Sequence, residues 1–284
     1  MSTVTTPQVH ATSHGYVEVE PGLRVRYDEI GKGAQTLVVL NELAEMEPLA
    51  RGRRVIAITS RGRGGSDRLE DLTRHSVSHE ADDIEAVRRA LDLERFALLG
   101  WSYPGFVAAL YAARHPERVS HLVLVCPVPP YRDPAWPAPA IAPELGRQLE
   151  ELRKSPIWEA DQAEACRRAT RLFASFRMRD QEKAAQVRID RCELPNEWPT
   201  YAWRMGRQVQ STLFDIRDQL GAIAAATLVF HGDEDAIPRE GAESWARLIS
   251  GARLIRRPEV GHYLPVERPD LFFPAVEDWL TATP

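Results

Sequence analysis

The sequence predicts an α/β protein: a mainly parallel, doubly wound sheet with a helical segment inserted into it. Three observations lead there. Short β-rich apolar runs alternate with helix-patterned segments up to residue 126 and again from residue 222. Several of these runs are continuously apolar, as suits strands covered on both faces. Between the two regions, residues 127–221 carry helical patterns and no strand pattern. The expected organisation is therefore a core of residues 1–126 and 222–284 with a helical cap of residues 127–221.

The elements follow in order. YVEVEPGLRVRYDEIG, Tyr16–Gly31, alternates apolar and polar residues around Pro21-Gly22 and reads as a hairpin. Thr36–Leu40 and Arg54–Thr59 are short buried strands. SHEADDIEAVRRALDL carries Ala81, Ile84, Val87 and Leu91 at helical spacing, with Ser78 as its N-cap. RFALLG, YPGFVAALYAARH and VSHLVLVC then read as strand, helix and strand. The proline-rich stretch from Pro127 to Pro143 breaks the alternation. Helices are expected over Glu144–Lys154, Asp161–Phe176, Gln181–Cys192 and Glu197–Leu213. TLVFHG, Thr227–Gly232, resumes the sheet, and a helix, the short strand ARLI and a last helix, PDLFFPAVEDWLTAT, complete it.

Composition excludes several classes. Charged residues are 27% of the 284 and the net charge is −5, which suits neither a disordered chain nor a nucleic-acid surface. The first fourteen residues lack the apolar centre of a signal peptide, and no apolar run is long enough to span a bilayer. The expectation is a cytoplasmic protein with a small-molecule substrate and neither a nucleic-acid nor a membrane partner. Cys126, Cys166 and Cys192 show no metal-ligand spacing; buried free thiols in a reducing compartment are the reading, with a Cys166–Cys192 disulfide as the alternative.

One constellation carries chemistry. A serine hydroxyl needs a base to take its proton, and the base works best when an acid holds its tautomer. Gly100-Trp101-Ser102-Tyr103-Pro104-Gly105 follows a strand and opens a helix, the context of a nucleophile elbow. HGDEDAIP sets Asp235 in the loop after the first strand beyond the insertion, and EVGHYLPVERP sets His262 in the loop before the final helix. The order Ser, Asp, His is one of those known for a catalytic triad. Asp233 and Glu234 compete for the acid, and Ser102 could instead be a plain helix N-cap. The remaining histidines read as structural or exposed. RGRGGSD, Arg61–Asp67, lacks a Walker lysine and reads as a solvated turn rather than a phosphate loop. The arginines of CRRATRLFASFRMRD read as a solvated helix face.

Over nearly the whole chain these motifs, above all GWSYPG, HGDEDAIP and GHYLPVERP, resemble those of the α/β-hydrolases with a helical cap. CELPNEWP and the flanking motifs look most like the proline-iminopeptidase branch and its esterase relatives. The resemblance implies Ser102 as nucleophile, His262 as base and Asp235, three residues after Gly232, as the acid. It also implies that the N–H of Tyr103 is one oxyanion donor and that neither cofactor nor metal takes part.

Two departures qualify it. Pro104 stands where the elbow motif has its second glycine; in the first turn of a helix the missing N–H costs nothing. The second concerns the loop after the third strand, which in related hydrolases is glycine-rich and completes the oxyanion hole. Here LVVL runs directly into NELAEMEPLARGRRVIAI, with Leu43, Met46 and Leu49 or Ala50 at helical spacing. Asn41 could cap that helix, leaving the N–H of Glu42 or Leu43 as second donor.

The expected function is a serine hydrolase cleaving a small ester, lactone or amide. Trp101, Trp136, Trp158, Trp198 and Trp203 suggest an aromatic-lined pocket. An aminopeptidase would need cap carboxylates for a substrate ammonium, and Glu193 and Glu197 are the candidates. The alternative is a repurposed fold, a cyclase, lyase or ligand-binding protein, suggested by the shortened loop.

Overall fold

The computed structural model describes residues 13–41, 43–136, 143–188, 190–197 and 199–282. Eight strands form one sheet: β1 (Ser13–Glu20), β2 (Leu23–Ile30), β3 (Thr36–Leu40), β4 (Arg54–Ile58), β5 (Phe96–Trp101), β6 (Val119–Val125), β7 (Ala226–Gly232) and β8 (Arg253–Arg257). Their spatial order is β1-β2-β4-β3-β5-β6-β7-β8. Only the β1–β2 hairpin and the β2–β4 pair are antiparallel; β4 through β8 run parallel.

Successive residues of a strand point to opposite faces, and this divides the core in two. Val38, Ile56, Leu98, Leu122 and Val229 belong to one buried cluster, with Ile84 and Val87 of α2 (Val77–Ala90, after the short α1, Leu43–Met46) and Phe106 and Leu110 of α3 (Tyr103–Arg114). Leu37, Val39, Val55, Leu99, Val123 and Phe230 belong to the other, with Phe272 and Val276. Both faces are covered, which is why the central strands read as unbroken apolar runs.

Between β6 and β7 the described residues contain helices and no strand: α4 (Pro143–Lys154), α5 (Ile157–Ala160), α6 (Gln162–Arg177), 3-10 turns at Gln181–Gln186 and Asp190–Glu193, α7 (Pro199–Thr212) and α8 (Arg217–Leu220). The insertion leaves and re-enters at one place, where the Ile216 N–H donates to the Pro130 carbonyl at 3.1 Å. The chain closes with α9 (Arg239–Leu248), α10 (Leu264–Glu267) and α11 (Pro269–Ala282). Among the described residues no helix is long and apolar enough to cross a membrane.

Four local expectations are corrected. The N-cap of α2 is Ser76, whose Oγ accepts from the His79 N–H at 3.2 Å, while Ser78 lies inside the first turn. The helix expected over Gln181–Cys192 is two separate 3-10 turns. Just before the first of them the Arg179 and Asp180 N–H groups donate to the Glu267 carboxylate, and Ala184 and Val187 pack into a buried cluster with Ala174 and Met178, so tertiary contacts override the helical period. Cys166 and Cys192 are joined in a disulfide with Cα atoms 5.6 Å apart, so of the three thiols only Cys126 is free and buried. Arg61 is not solvated: it is 1% exposed and bound to Asp83 and Glu20. On α6, by contrast, Arg167 and Arg168 pair with Glu164 at the surface.

Candidate active site

Three non-glycine residues adopt left-handed backbone directly after three neighbouring parallel strands: Asn41 after β3 (φ 71°), Ser102 after β5 (φ 64°) and Cys126 after β6 (φ 42°). Such conformations cost energy and gather where a fold holds reactive groups. At Ser102 the strain is fixed from both sides. Its N–H donates to the Val125 carbonyl at 2.8 Å, and its carbonyl accepts from the Gly105 N–H at 3.0 Å. The turn is tight enough that a Cβ on Gly100 would lie 2.3 Å from the Pro104 carbonyl oxygen. Glycine is thus required at position 100, whereas position 104 is in the first turn of α3 and accepts proline.

The acid and base meet beside this edge. His262 Nδ1 is 2.8 Å from Asp235 Oδ2, and both side chains are almost fully buried. Asp235 Oδ1 accepts the Ile237 N–H at 3.0 Å, which orients the carboxylate. Burial would raise the Asp235 carboxyl, but the charge and hydrogen bond of His262 hold it below the usual carboxylate range. The competitors are elsewhere: Asp233 and Glu234 are exposed, and Asp233 pairs with Arg256 at 2.7 Å. With Nδ1 engaged, Nε2 is the imidazole nitrogen left to exchange a proton.

The histidine loop is held on three sides. The His262 N–H donates to the Arg177 carbonyl at the end of α6 at 2.8 Å, and its own carbonyl accepts from Trp101 Nε1 at 3.0 Å. One residue earlier, the Gly261 N–H donates to Glu267 Oε1 at 2.9 Å. The other oxygen of Glu267 takes the Arg179 and Asp180 N–H groups, so the insertion is fastened to the histidine loop.

On the oxyanion side, Tyr103 opens α3, so its N–H lies in the turn that has no intrahelical acceptors. Leu43 opens α1, with only two residues between it and the end of β3; Glu42 lies outside the described residues. Asn41 does not cap α1. Its Oδ1 accepts the Ser60 N–H at 2.8 Å and its Nδ2 donates to Ser60 Oγ at 3.0 Å. Ser60 Oγ in turn bonds the carboxylate of Glu80, which also binds the Tyr103 hydroxyl at 2.5 Å and His75 Nε2 at 2.8 Å.

The expected substrate contacts fare differently. Trp101 is buried, with its indole N–H spent on the His262 carbonyl, so it braces the histidine loop. Glu193 is exposed and paired with Arg167 on α6. Glu197 is buried and paired with Arg63 at 3.2 Å, where the insertion meets the loop after β4. Trp198 and the side chain of Trp203 lie outside the described residues. Trp136 is half-buried against Tyr131, and Trp158 is half-buried on α5.

Cys126, Asp235 and His262 bring ligand-type atoms within 4.8 Å of one another. Burial, and then the Asp235 charge, push the Cys126 thiol well up, and Asp235 and His262 already satisfy each other. A protonated thiol beside a closed hydrogen-bonded pair is a poor cation site.

Sequence reasoning missed Glu80 and Glu267. Glu80 had a signal: it falls between Val77 and Ile84 on the apolar stripe of α2, where a carboxylate must find buried partners. Glu267 had none, because its partners are backbone N–H groups, those of Arg179 and Asp180 from a distant segment and that of Gly261.

Comparisons with known proteins agree with this architecture. The family model described as alpha/beta hydrolase fold matches residues 39–269. The chain is 42% identical over 105 residues to a 1-acylglycerol-3-phosphate O-acyltransferase of Arabidopsis thaliana. That match covers 33% of the chain and spans 25% of the relative's length. A 2-hydroxymuconate semialdehyde hydrolase of Pseudomonas sp. strain CF600 is 28% identical, over 88% of this chain and 84% of that protein. Proline iminopeptidase PfmaB of Pestalotiopsis fici is 26% identical, over 81% and 83%. Among solved structures, an alpha/beta fold family hydrolase from Bacillus anthracis str. Sterne superposes with a TM-score of 0.75 at 21% identity, covering 94% of this chain and 99% of that one, a likeness of fold. With its strand order, its elbow after β5 and a family model matched over most of its length, the chain belongs to the alpha/beta hydrolase fold family.

Proposed function

We propose that the protein is a cofactor-independent serine hydrolase that cleaves a small ester, lactone or amide through an acyl-enzyme. The observation that carries this reading is the buried 2.8 Å Asp235–His262 pair beside the strand edge where Ser102 sits in a left-handed elbow. Ser102 Oγ attacks the substrate carbonyl carbon while His262 Nε2 takes its proton. Asp235 holds the Nδ1–H tautomer and stabilises the imidazolium. The carbonyl oxygen, now negative, is met by the Tyr103 N–H and by an N–H of Leu43 or Glu42. Collapse expels the leaving group, protonated by His262, and water then releases the acid by the same steps in reverse.

Residues 127–221 serve as the cap. The contacts of Asn196 with Ser66, Glu197 with Arg63 and Arg177 with His262 support this, since all join the insertion to loops at the end of the sheet that carries the site. The aminopeptidase version finds less support than its relatives' names suggest. Both candidate carboxylates, Glu193 and Glu197, are already neutralised by arginines, so a substrate ammonium would have to displace one. Neutral acyl substrates fit better. The short β3-to-α1 connection keeps a repurposed fold as the second reading.

Labelling with a fluorophosphonate probe followed by peptide mapping tests the proposal. An adduct on Ser102, absent from Ser102→Ala, is expected; an unreactive Ser102 favours the repurposed fold. Turnover of p-nitrophenyl acetate that survives in Ser102→Ala would rule out this nucleophile.

A further inference from the structure

Glu80 is a carboxylate in an expensive position. It is 6% exposed, on the apolar stripe of α2, and burial alone would raise its carboxyl. His75, Ser60 and Tyr103 nevertheless hold it below the usual range, so it is an ionised acceptor inside the core. Its bonds point to what it does. One oxygen takes the Tyr103 hydroxyl and His75 Nε2; the other takes Ser60 Oγ. Ser60 is locked in both directions to Asn41, the left-handed residue that ends β3 and opens the shortened connection. The donors run in one sense, from Asn41 Nδ2 to Ser60 Oγ to the carboxylate, with the Tyr103 O–H arriving from the other side.

The geometry points to Glu80 as a positioning residue for the oxyanion hole: one buried carboxylate ties the backbone of Tyr103 to the turn at Asn41, so that both walls of the hole share an anchor. The inference rests on the serine-hydrolase reading above. It supplies a physical reason why the short connection can hold a donor in place. A glycine-rich loop is replaced by side-chain bonds to a fixed charge, and preorganised donors depend on such support.

The same pair of helices contains its own control. Tyr111, two turns further along α3, donates to Glu85 of α2 at 3.0 Å, away from Ser102. Tyr111→Phe removes an equivalent tyrosine–glutamate link without touching the anchor. Tyr103→Phe removes one limb of it. Glu80→Gln places an amide N–H₂ where only acceptors fit, so one limb must break or reverse.

The measurement is the rate at which a fluorophosphonate labels Ser102, per folded molecule, with kcat and KM for p-nitrophenyl acetate. Glu80→Gln and Tyr103→Phe are expected to label about tenfold more slowly and to lose kcat to a like extent, with KM within about twofold, while Tyr111→Phe matches the native protein. Should Glu80→Gln not fold, Tyr103→Phe, which deletes a single hydroxyl, still decides. Native labelling rates in both anchor variants, or equal slowing in Tyr111→Phe, would overturn this inference and leave the hydrolase reading standing. A native Ser102 that never labels overturns both.

Discussion

The indole N–H of Trp101 donates to the main-chain carbonyl of His262 at 3.0 Å, so the residue before Ser102 is bonded to the histidine that Asp235 orients. The strand end bearing Ser102 and the loop bearing His262 are therefore fixed to each other by a side-chain-to-backbone bond, independently of Ser102 itself. Trp101→Phe keeps an aromatic ring but deletes the donor. The expected result is a fall in kcat of about tenfold for p-nitrophenyl acetate with KM little changed, because positioning is lost while pocket contacts remain. Steady-state kinetics check it.

Asp235 and Asp233 are two residues apart and have different partners, His262 and Arg256. Asp235→Asn should lower kcat by roughly 10⁴, as the same change does in a comparable triad, by offering His262 the wrong tautomer. Asp233→Asn breaks only the exposed pair with Arg256 and should change kcat by less than about twofold. Reversed effects would show that the wrong aspartate has been assigned.

Glu267 is 2% exposed and accepts the N–H groups of Gly261, Arg179 and Asp180. Glu267→Ala leaves these backbone donors without their charged acceptor and should cost about 3 kcal/mol in urea unfolding. Activity should fall at the same time, since Gly261 adjoins His262. Stability equal to the native protein's would mean that the clamp is unimportant.

The Cys166–Cys192 disulfide spans 26 residues and ties α6 to the second 3-10 turn of the insertion. Loop-closure entropy for that span gives about 3–4 kcal/mol. Dithiothreitol, or Cys192→Ser, should lower the thermal midpoint by several degrees, with loss concentrated in the insertion when followed by hydrogen exchange. Equal midpoints for oxidised and reduced protein would exclude a stabilising role.

Glu85 links α2 to α3 through Tyr111 and binds both Arg88 and Arg89; above all the Arg88 hydrogen bond holds its carboxyl down at about 2, against 4.5 ordinarily. A depressed carboxylate stabilises the fold fully above its unfolded value and ceases to do so as pH falls toward its folded one. Glu85→Gln should thus melt below the native protein at pH 6, with the gap closing between pH 4.5 and 2. Thermal scans at pH 6 and pH 3 measure it; a constant gap would show that the charge is not the cause.

The sequence by itself determined the strands, their parallel arrangement and the strand ends that hold the candidate site. An apolar run with turn signals specifies a buried strand locally, and Ser102, Asp235 and His262 each stand in the loop after such a run. Pro104 was legible too, because tolerance of proline in a first helical turn is a local rule. Tertiary structure alone decided how the parts are held. Whether Cys166 meets Cys192 depends on the path of the insertion, and the helix expected over Gln181–Cys192 gives way where Ala184 and Val187 pack against Ala174 and Met178. Trp101 and Glu197 read in sequence as pocket residues, and only the fold shows that their polar groups are bonded to His262 and Arg63. Glu80 shows the boundary between the two. Periodicity places its carboxylate on the buried face of α2, but its partners come from the loop after β4, from α3 and from the loop before α2, and only folding brings those together. Local propensity acts over a few residues of chain, whereas a buried charge is satisfied by whatever donors the fold delivers to it.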